Sequence, residues 1–81
     1  MLVEVKLFGA EAAAAEASCA TVHLDTPATC ASLRSAMREQ TPALASALDW
    51  ARFAVNGRFA TDETSISAGD ELALIGLVGG G

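Results

Sequence analysis

The sequence is poor in basic residues. Its 81 residues include five Lys and Arg against ten Asp and Glu, which gives a formal net charge of -5 with no basic cluster. Binding to nucleic acid or to an anionic membrane surface depends on concentrated positive charge, because phosphate contacts supply most of the non-specific affinity. We therefore expect neither nucleic acid nor a membrane as a partner.

Cysteine and histidine are also scarce. Cys19 and Cys30 are too few for a disulfide framework, and their spacing fits neither a redox pair nor a zinc ligand set. His23 is the only histidine and has no nucleophile motif nearby. The acidic residues are scattered, which is typical of a solvated surface. We expect no metal, no bound cofactor, no side-chain active site and a reducing, cytoplasmic compartment.

Long apolar stretches and large apolar side chains are limited too. The longest stretch without charge, 72–81, is too short to cross a bilayer. Glu4 and Lys6 interrupt the first apolar residues, where a secretory signal needs a continuous run. Eighteen of the 42 apolar residues are alanine, which leaves 22 large side chains for an interior. That number predicts one small two-layer domain and excludes a second.

The first half of the chain predicts two strands and the main helix. Residues 1–8 and 19–24 each alternate with period two, which favours an antiparallel hairpin. The alanine-rich segment 10–17 lacks a large apolar anchor, so we expect a short surface helix or an ordered loop there. Thr29 is a good N-cap for the main helix over 29–40, which carries an apolar face.

The second half predicts shorter elements. Pro42 can start a second, short helix with Leu44 and Leu48 as an i, i+4 pair. The dipeptide Asn56-Gly57 favours a tight turn between strands at 52–55 and 58–60. Residues 71–78 form the last predicted strand. The order predicts an α+β protein of the β-grasp type, with the last strand parallel to the first because the main helix supplies the crossover.

The end of the chain is the most unusual feature of the sequence. The apolar run 72–78 leads directly into Gly79, Gly80 and Gly81. One helix covers only one face of a small sheet, so a strand that is apolar on both faces implies a partner. Glycines add nothing to a core. We interpret residues 1–78 as the domain and 79–81 as a flexible tail, whose carboxylate becomes reactive towards sulfur or nitrogen nucleophiles once it is joined to AMP.

Local motifs spread over nearly the whole chain carry a family resemblance. They are Leu33-Arg34 and Met37 in the helix, Ala54-Val55-Asn56-Gly57, Gly69-Asp70-Glu71, and Val78-Gly79-Gly80-Gly81. Together with the length, they resemble the small subunit of molybdopterin synthase, a ubiquitin-like sulfur carrier with the β-grasp fold. Gly76-Leu77 stand where that family commonly has two prolines.

The resemblance implies a function for the tail. In that family an E1-like enzyme adenylates the terminal glycine, here Gly81, and a sulfur donor acting through this enzyme converts it to a thiocarboxylate. The large subunit then uses the sulfur to build the dithiolene of molybdopterin, in a heterotetrameric complex of molybdenum cofactor biosynthesis. By resemblance Gly79 and Gly80 give access to Gly81. The family's partner surface lies on the sheet beside the tail and matches Phe8, Phe59, Ile75 and Leu77.

Two other functions stay open at this point. A triple glycine is also similar to some sulfur carriers of thiazole synthesis, which share the fold. The same tail could instead end in an isopeptide bond to a target lysine, as in a ubiquitin-like modifier or interaction module.

Overall fold

A computed structural model describes residues 1–76. Two α-helices and seven strands occur in this part of the chain. In chain order they are β1 (Leu2–Lys6), α1 (Gly9–Ala15), β2 (Cys19–His23), β3 (Ala28–Thr29), α2 (Cys30–Gln40), β4 (Arg52–Val55), β5 (Arg58–Phe59), β6 (Ser65–Ile66) and β7 (Leu72–Ile75).

Five of the strands form a mixed sheet in the order β2-β1-β7-β4-β5. β1 pairs antiparallel with β2 and parallel with β7, with Lys6 opposite both Cys19 and Ala73. β7 also pairs antiparallel with β4, and β4 continues through a tight turn into β5. The predicted hairpin, the parallel pairing of first and last strands, and the β-grasp arrangement are confirmed.

The core lies on one face of this sheet, under α2. Alternation along the strands places Val5, Phe53 and Leu74 on that face, each at most 1% exposed. Leu33 and Met37 of α2 are fully buried against them, as their helical spacing predicts.

The start of α2 follows the sequence prediction. Thr29 is the N-cap, and its hydroxyl accepts a 3.3 Å hydrogen bond from the Ser32 backbone N–H. The Ser32 hydroxyl accepts one of 2.8 Å from the Thr29 N–H. This reciprocal capping satisfies two donors that a helix end otherwise leaves free.

The segment after α2 differs from the single short helix that the sequence predicts. It forms two separate 3-10 turns, Pro42–Leu44 and Ala47–Asp49, which bury Leu44 and Leu48. The Arg34 guanidinium donates hydrogen bonds to the backbone carbonyls of Leu48 and Ala51, the second at 3.0 Å. A side chain from α2 therefore binds carbonyls near the second turn, and the chain turns into β4 instead of continuing as a helix.

Two further short elements were not predicted. β3 and β6 pair antiparallel as a separate two-stranded sheet, with Ala28 opposite Ile66. Each has only two residues, which is too short to show a period in the sequence. Among residues 1–76, none of the helices has both the length and the apolar character needed to cross a bilayer.

Candidate partner groove and tail root

The face of the five-stranded sheet opposite α2 carries the candidate site. The strand register places Lys6, Ala73, Ala54 and Phe59 side by side across β1, β7, β4 and β5. These positions alternate with the buried ones, so their side chains point away from the core. The last strand is therefore apolar on both faces, and its outer face, with Ala73 and Ile75, is only partly buried.

This face carries an open groove with a volume of about 350 Å³. Phe8 and Phe59 are 54% and 57% exposed, although both are large and apolar. The groove is lined by Lys6, Phe8, Ala54, Gly57, Phe59, Glu71, Ala73 and Ile75. The structure thus brings together Phe8, Phe59 and Ile75, three of the four side chains that the family resemblance matches to a partner surface. That they bind a partner stays a prediction.

Charged groups border the apolar groove. Lys6 Nζ and Glu71 Oε1 lie 3.9 Å apart, and both side chains are more than half exposed. The Arg52 guanidinium carbon lies 4.6 Å from the centre of the Phe59 ring. Exposed pairs of this kind add little to stability. An apolar centre with a charged rim is, however, the usual composition of a protein-binding surface.

The turn that positions Phe59 is held by a small hydrogen-bond network. Asn56 and Gly57 have φ values of 52° and 80°, as expected for the predicted tight hairpin turn. Asn56 Nδ2 donates to Asp70 Oδ1 at 3.1 Å, and the Glu71 N–H donates to Asn56 Oδ1 at 2.9 Å. The turn is therefore tied to the segment that enters β7.

Asp70 accepts two hydrogen bonds in this network. The Ser67 backbone N–H donates to its Oδ2 at 2.8 Å, and Asn56 donates to its Oδ1. The Ser67 bond, followed by the Asn56 bond, lowers the pKa of the Asp70 carboxyl because both stabilise its charged form.

Gly76, the last described residue, packs against a buried carboxylate. Glu11 in the first turn of α1 is only 5% exposed, although the sequence suggests a solvated position. A Cβ atom at Gly76 would overlap Glu11 Oε1 and would lie 2.6 Å from Glu11 Cδ. Oε1 has no hydrogen-bond partner among residues 1–76. We call this contact the tail root.

The expectation that all acidic residues are solvated is therefore wrong for Glu11. The segment is rich in alanine, so neighbouring small side chains leave room for a longer one to fold back onto the sheet end. A carboxylate near a helix N-terminus also interacts favourably with the helix dipole. The only indication in the sequence is the glycine at position 76, which has no side chain to displace the carboxylate. That glycine becomes informative only once Gly76 and Glu11 are known to be in contact.

Other candidate residues do not assemble into a site. Cys30 is buried, and burial, followed by repulsion from Asp62, raises the pKa of its thiol. Cys19 is partly buried on the open sheet face, and His23 is exposed at the end of β2. Within residues 1–76, no three His, Cys, Asp or Glu side chains are placed to hold a metal ion. The predicted functional residues Leu77, Gly79, Gly80 and Gly81 lie outside the described residues.

The sheet order, the single main helix across it and the open apolar face define a ubiquitin-like β-grasp protein. The ThiS family model matches residues 5–81. The chain belongs to the ThiS family of ubiquitin-like sulfur carriers. The family resemblance seen in the sequence is thereby confirmed. A comparison with curated protein sequences found no match.

Solved structures agree with this assignment. SAMP1 from Haloferax volcanii, a small archaeal modifier protein, is 32% identical, with a TM-score of 0.86 and full coverage of both chains. A putative molybdopterin converting factor subunit 1 from Pyrococcus furiosus is 20% identical over 96% of this chain and 99% of that one, with a TM-score of 0.82. A complex of subunits 1 and 2 of the molybdopterin-converting factor from Helicobacter pylori gives 24% identity, a TM-score of 0.69 and full coverage of both chains. The two molybdopterin-converting-factor structures are less than 25% identical to this chain, so their similarity shows a shared fold.

Proposed function

We propose that this chain is the sulfur-carrying small subunit of a molybdopterin synthase. Its family membership supports sulfur carriage, and two similar folds come from molybdopterin converting factors, one of them in complex with its second subunit. The observation that carries the proposal is the apolar groove beside β7, the strand that leads into the glycine tail.

In the proposed reaction the Gly81 carboxylate is the only reacting group of this chain. One carboxylate oxygen attacks the α-phosphate of ATP, pyrophosphate leaves, and an acyl-adenylate forms within an E1-like enzyme. A sulfide-level nucleophile from a donor acting through that enzyme then attacks the carbonyl carbon, and AMP leaves. One carboxyl oxygen is thereby replaced by sulfur. The thiocarboxylate sulfur then bonds to a carbon of the precursor held by the large subunit and displaces an oxygen leaving group, and water cleaves the carbonyl–sulfur bond and restores the Gly81 carboxylate.

In this scheme the domain binds the large subunit and directs the tail towards the active site of that subunit. The open groove gives a large subunit an apolar surface that folding leaves exposed, so docking removes Phe8 and Phe59 from water. Four extended residues after Leu77 reach about 13 Å. Glycines at 79–81 allow such a segment to enter a narrow channel, because they add no side-chain bulk.

Intact-mass analysis of the protein from its native cell tests the proposal. A mass increase equal to replacing one oxygen by sulfur, localised by fragmentation to Gly81, is expected. Deleting Gly80 and Gly81 should abolish sulfur transfer while the fold persists, because the reactive group is withdrawn by about 7 Å. Formation of molybdopterin by the truncated protein with purified partners would refute it.

A control variant in the same assay replaces His23, Cys19 and Cys30 together with small residues. Transfer should persist in this variant wherever it remains folded, because no side chain takes part in the chemistry. Complete loss of transfer in the folded triple variant would also contradict the mechanism.

A second candidate function is protein modification. It is favoured by the 32% identity to SAMP1, whose name describes a modifier. In that case the ε-amine of a target lysine attacks the activated Gly81 carbonyl, AMP leaves and an isopeptide bond forms. The same mass analysis separates the two functions, since a lysine-linked adduct at Gly81 identifies the modifier and a thiocarboxylate identifies the carrier.

A further inference from the structure

Among the strands of residues 1–76, β2 lies at one edge of the five-stranded sheet, and only β1 pairs with it. Met1 and Leu24 exchange backbone hydrogen bonds of 2.8 and 2.7 Å, and from there the bonded pairs alternate along the two strands with period two. The backbone N–H and C=O groups of Cys19, Thr21 and His23 therefore point away from β1, towards the open edge.

One side chain of α2 closes the end of this edge. Gln40, the last residue of the helix, donates from Nε2 to the His23 carbonyl and accepts on Oε1 from the His23 N–H, both at 2.8 Å. A neighbouring antiparallel strand would make the same reciprocal pair of bonds. Gln40 thus takes the place of a strand beside His23, although the two residues are 17 positions apart.

Other means of protecting a sheet edge do not occur in β2. Natural edge strands usually carry charged side chains, proline or a bulge, which prevent pairing with a second molecule. Residues 17–24 contain no Asp, Glu, Lys, Arg or Pro. The register with β1 runs without interruption over the whole of β2, so the strand has no bulge. In the described part of the chain, the Gln40 amide is the only side-chain group that hydrogen-bonds to the outward backbone groups of β2.

The edge of β2 is self-complementary. If two copies of β2 lie antiparallel with their Thr21 residues facing each other, Cys19 of each copy faces His23 of the other. All three positions carry outward N–H and C=O groups, so three facing pairs can exchange two hydrogen bonds each. No charged side chain along 17–24 repels the second strand. A second copy of this chain therefore fits the edge, and the Gln40 amides stand in its way because they occupy His23 in both copies.

We propose that Gln40 prevents the chain from pairing with a second copy of itself through β2. With the amide in place, only the central Thr21 pair of the two-fold arrangement can form. With the amide removed, all three pairs can form and join the two sheets into one. This role is separate from the proposed function, because no residue of β2 lines the groove and β2 lies at the opposite edge of the sheet from Phe59.

Sedimentation equilibrium of the isolated full-length protein tests this role at concentrations up to about 1 mM, where small and weak interfaces become populated. The wild type should stay close to the monomer mass of 8.2 kDa. In Gln40→Ala the average mass should rise towards twice that value, with a dissociation constant at least about tenfold below that of the wild type. Gln40→Asn should behave in the same way, because its amide is withdrawn by about 1.5 Å and no longer reaches His23.

Two control variants separate the edge from a general loss of solubility. Glu39→Ala removes the neighbouring exposed side chain of α2, and it should leave the wild-type mass unchanged. Gln40→Ala combined with Thr21→Lys places like charges opposite each other on the two-fold axis, and it should restore the monomer. Gln40 is exposed, so circular dichroism should show the same fold in the wild type and in its variants.

Amide hydrogen exchange of Gln40→Ala, resolved by NMR, locates the contact. Protection of the N–H groups of Thr21 and His23 should increase with protein concentration, whereas that of Val22, which is bonded to β1, should not. Equal masses for the wild type, Gln40→Ala and Gln40→Asn over the whole concentration range would overturn the role of Gln40. Association that persists after Thr21→Lys, or that also appears in Glu39→Ala, would place the contact elsewhere and overturn it as well.

Discussion

Replacing Phe59 by alanine separates partner binding from folding. Phe59 lies on β5 at the edge of the sheet, faces the groove and is 57% exposed. Phe53 is one strand away, on β4, but faces the core and is 1% exposed. Both residues are phenylalanines, and they differ in the face of the sheet on which they lie. Their alanine variants should therefore have opposite consequences.

The structure sets the size of each effect. Full burial of a phenylalanine contributes about 1.5–3 kcal/mol, and less than half of Phe59 is buried, so its packing contributes about 1 kcal/mol. The exposed contact with Arg52 adds about 0.5 kcal/mol. Phe59→Ala should thus cost less than about 2 kcal/mol of unfolding free energy. Phe53→Ala should cost about 3–5 kcal/mol, because it empties a well-packed core position.

Binding should respond in the opposite order. If the groove is the centre of the partner surface, Phe59→Ala should weaken the complex with the large subunit by about 2 kcal/mol or more, which is about 30-fold in Kd. Leu2→Ala is the matched control, because Leu2 is 60% exposed and faces the same side of the sheet without lining the groove. Its Kd should stay within a few-fold of the wild type.

Two measurements decide the outcome. Urea unfolding followed by the fluorescence of Trp50, the only tryptophan, gives the free energy of unfolding, and calorimetric titration with the large subunit gives Kd. An unchanged Kd in folded Phe59→Ala would show that the groove is not the interface. A loss of stability as large as that of Phe53→Ala would show that Phe59 belongs to the core and not to the groove.

Three further predictions concern single groups. Ile75→Lys places a second cation opposite Arg52 on the groove face of the sheet. It should abolish complex formation, while circular dichroism should show an intact fold. An unfolded variant would instead assign Ile75 to the core. The pKa of Asp70 is lowered in the folded protein, so the carboxylate stabilises the fold above the ordinary carboxyl pKa of about 4, and this stabilisation is lost as the pH falls through the folded pKa. The difference in melting temperature between the wild type and Asp70→Asn should therefore shrink as the pH is lowered from about 5 to 2. A difference that does not depend on pH would contradict the hydrogen-bond network. Alkylation with iodoacetamide followed by mass spectrometry should label Cys19 first and Cys30 only on unfolding, because the Cys30 thiol is buried with a raised pKa; equal labelling rates in the native protein would refute this.

Much of the fold could be predicted from the sequence because its elements have clear periods. The alternation in β1, the cap at Thr29 and the Asn56-Gly57 turn are local signals, and the structure contains all three. The groove could be predicted in part, because a strand apolar on both faces cannot be covered by one helix. Phe8 and Phe59 required the family resemblance, since an isolated phenylalanine gives no indication of which face it occupies.

The remaining features depend on contacts between distant residues. Arg34 binds the carbonyls of Leu48 and Ala51, and nothing in the local pattern of the 42–50 segment indicates this. Glu11 and Gly76 are 65 positions apart, so a carboxylate in an alanine-rich helix and a glycine after a strand look unrelated until the chain is folded. In both cases a long polar side chain of a helix reaches the backbone of a distant segment.

The central position of β7 has a mechanical consequence. Traction applied beyond Gly76 acts along a strand that is hydrogen-bonded to β1 on one side and to β4 on the other. Because the load runs parallel to the strand, the ladders on both sides are sheared together and share the force. By contrast, a sideways pull on the two-residue edge strand β5 would break its pairs with Ala54 and Val55 one after the other. Withdrawal of the tail from a tight channel therefore loads the domain in the direction in which its sheet is strongest.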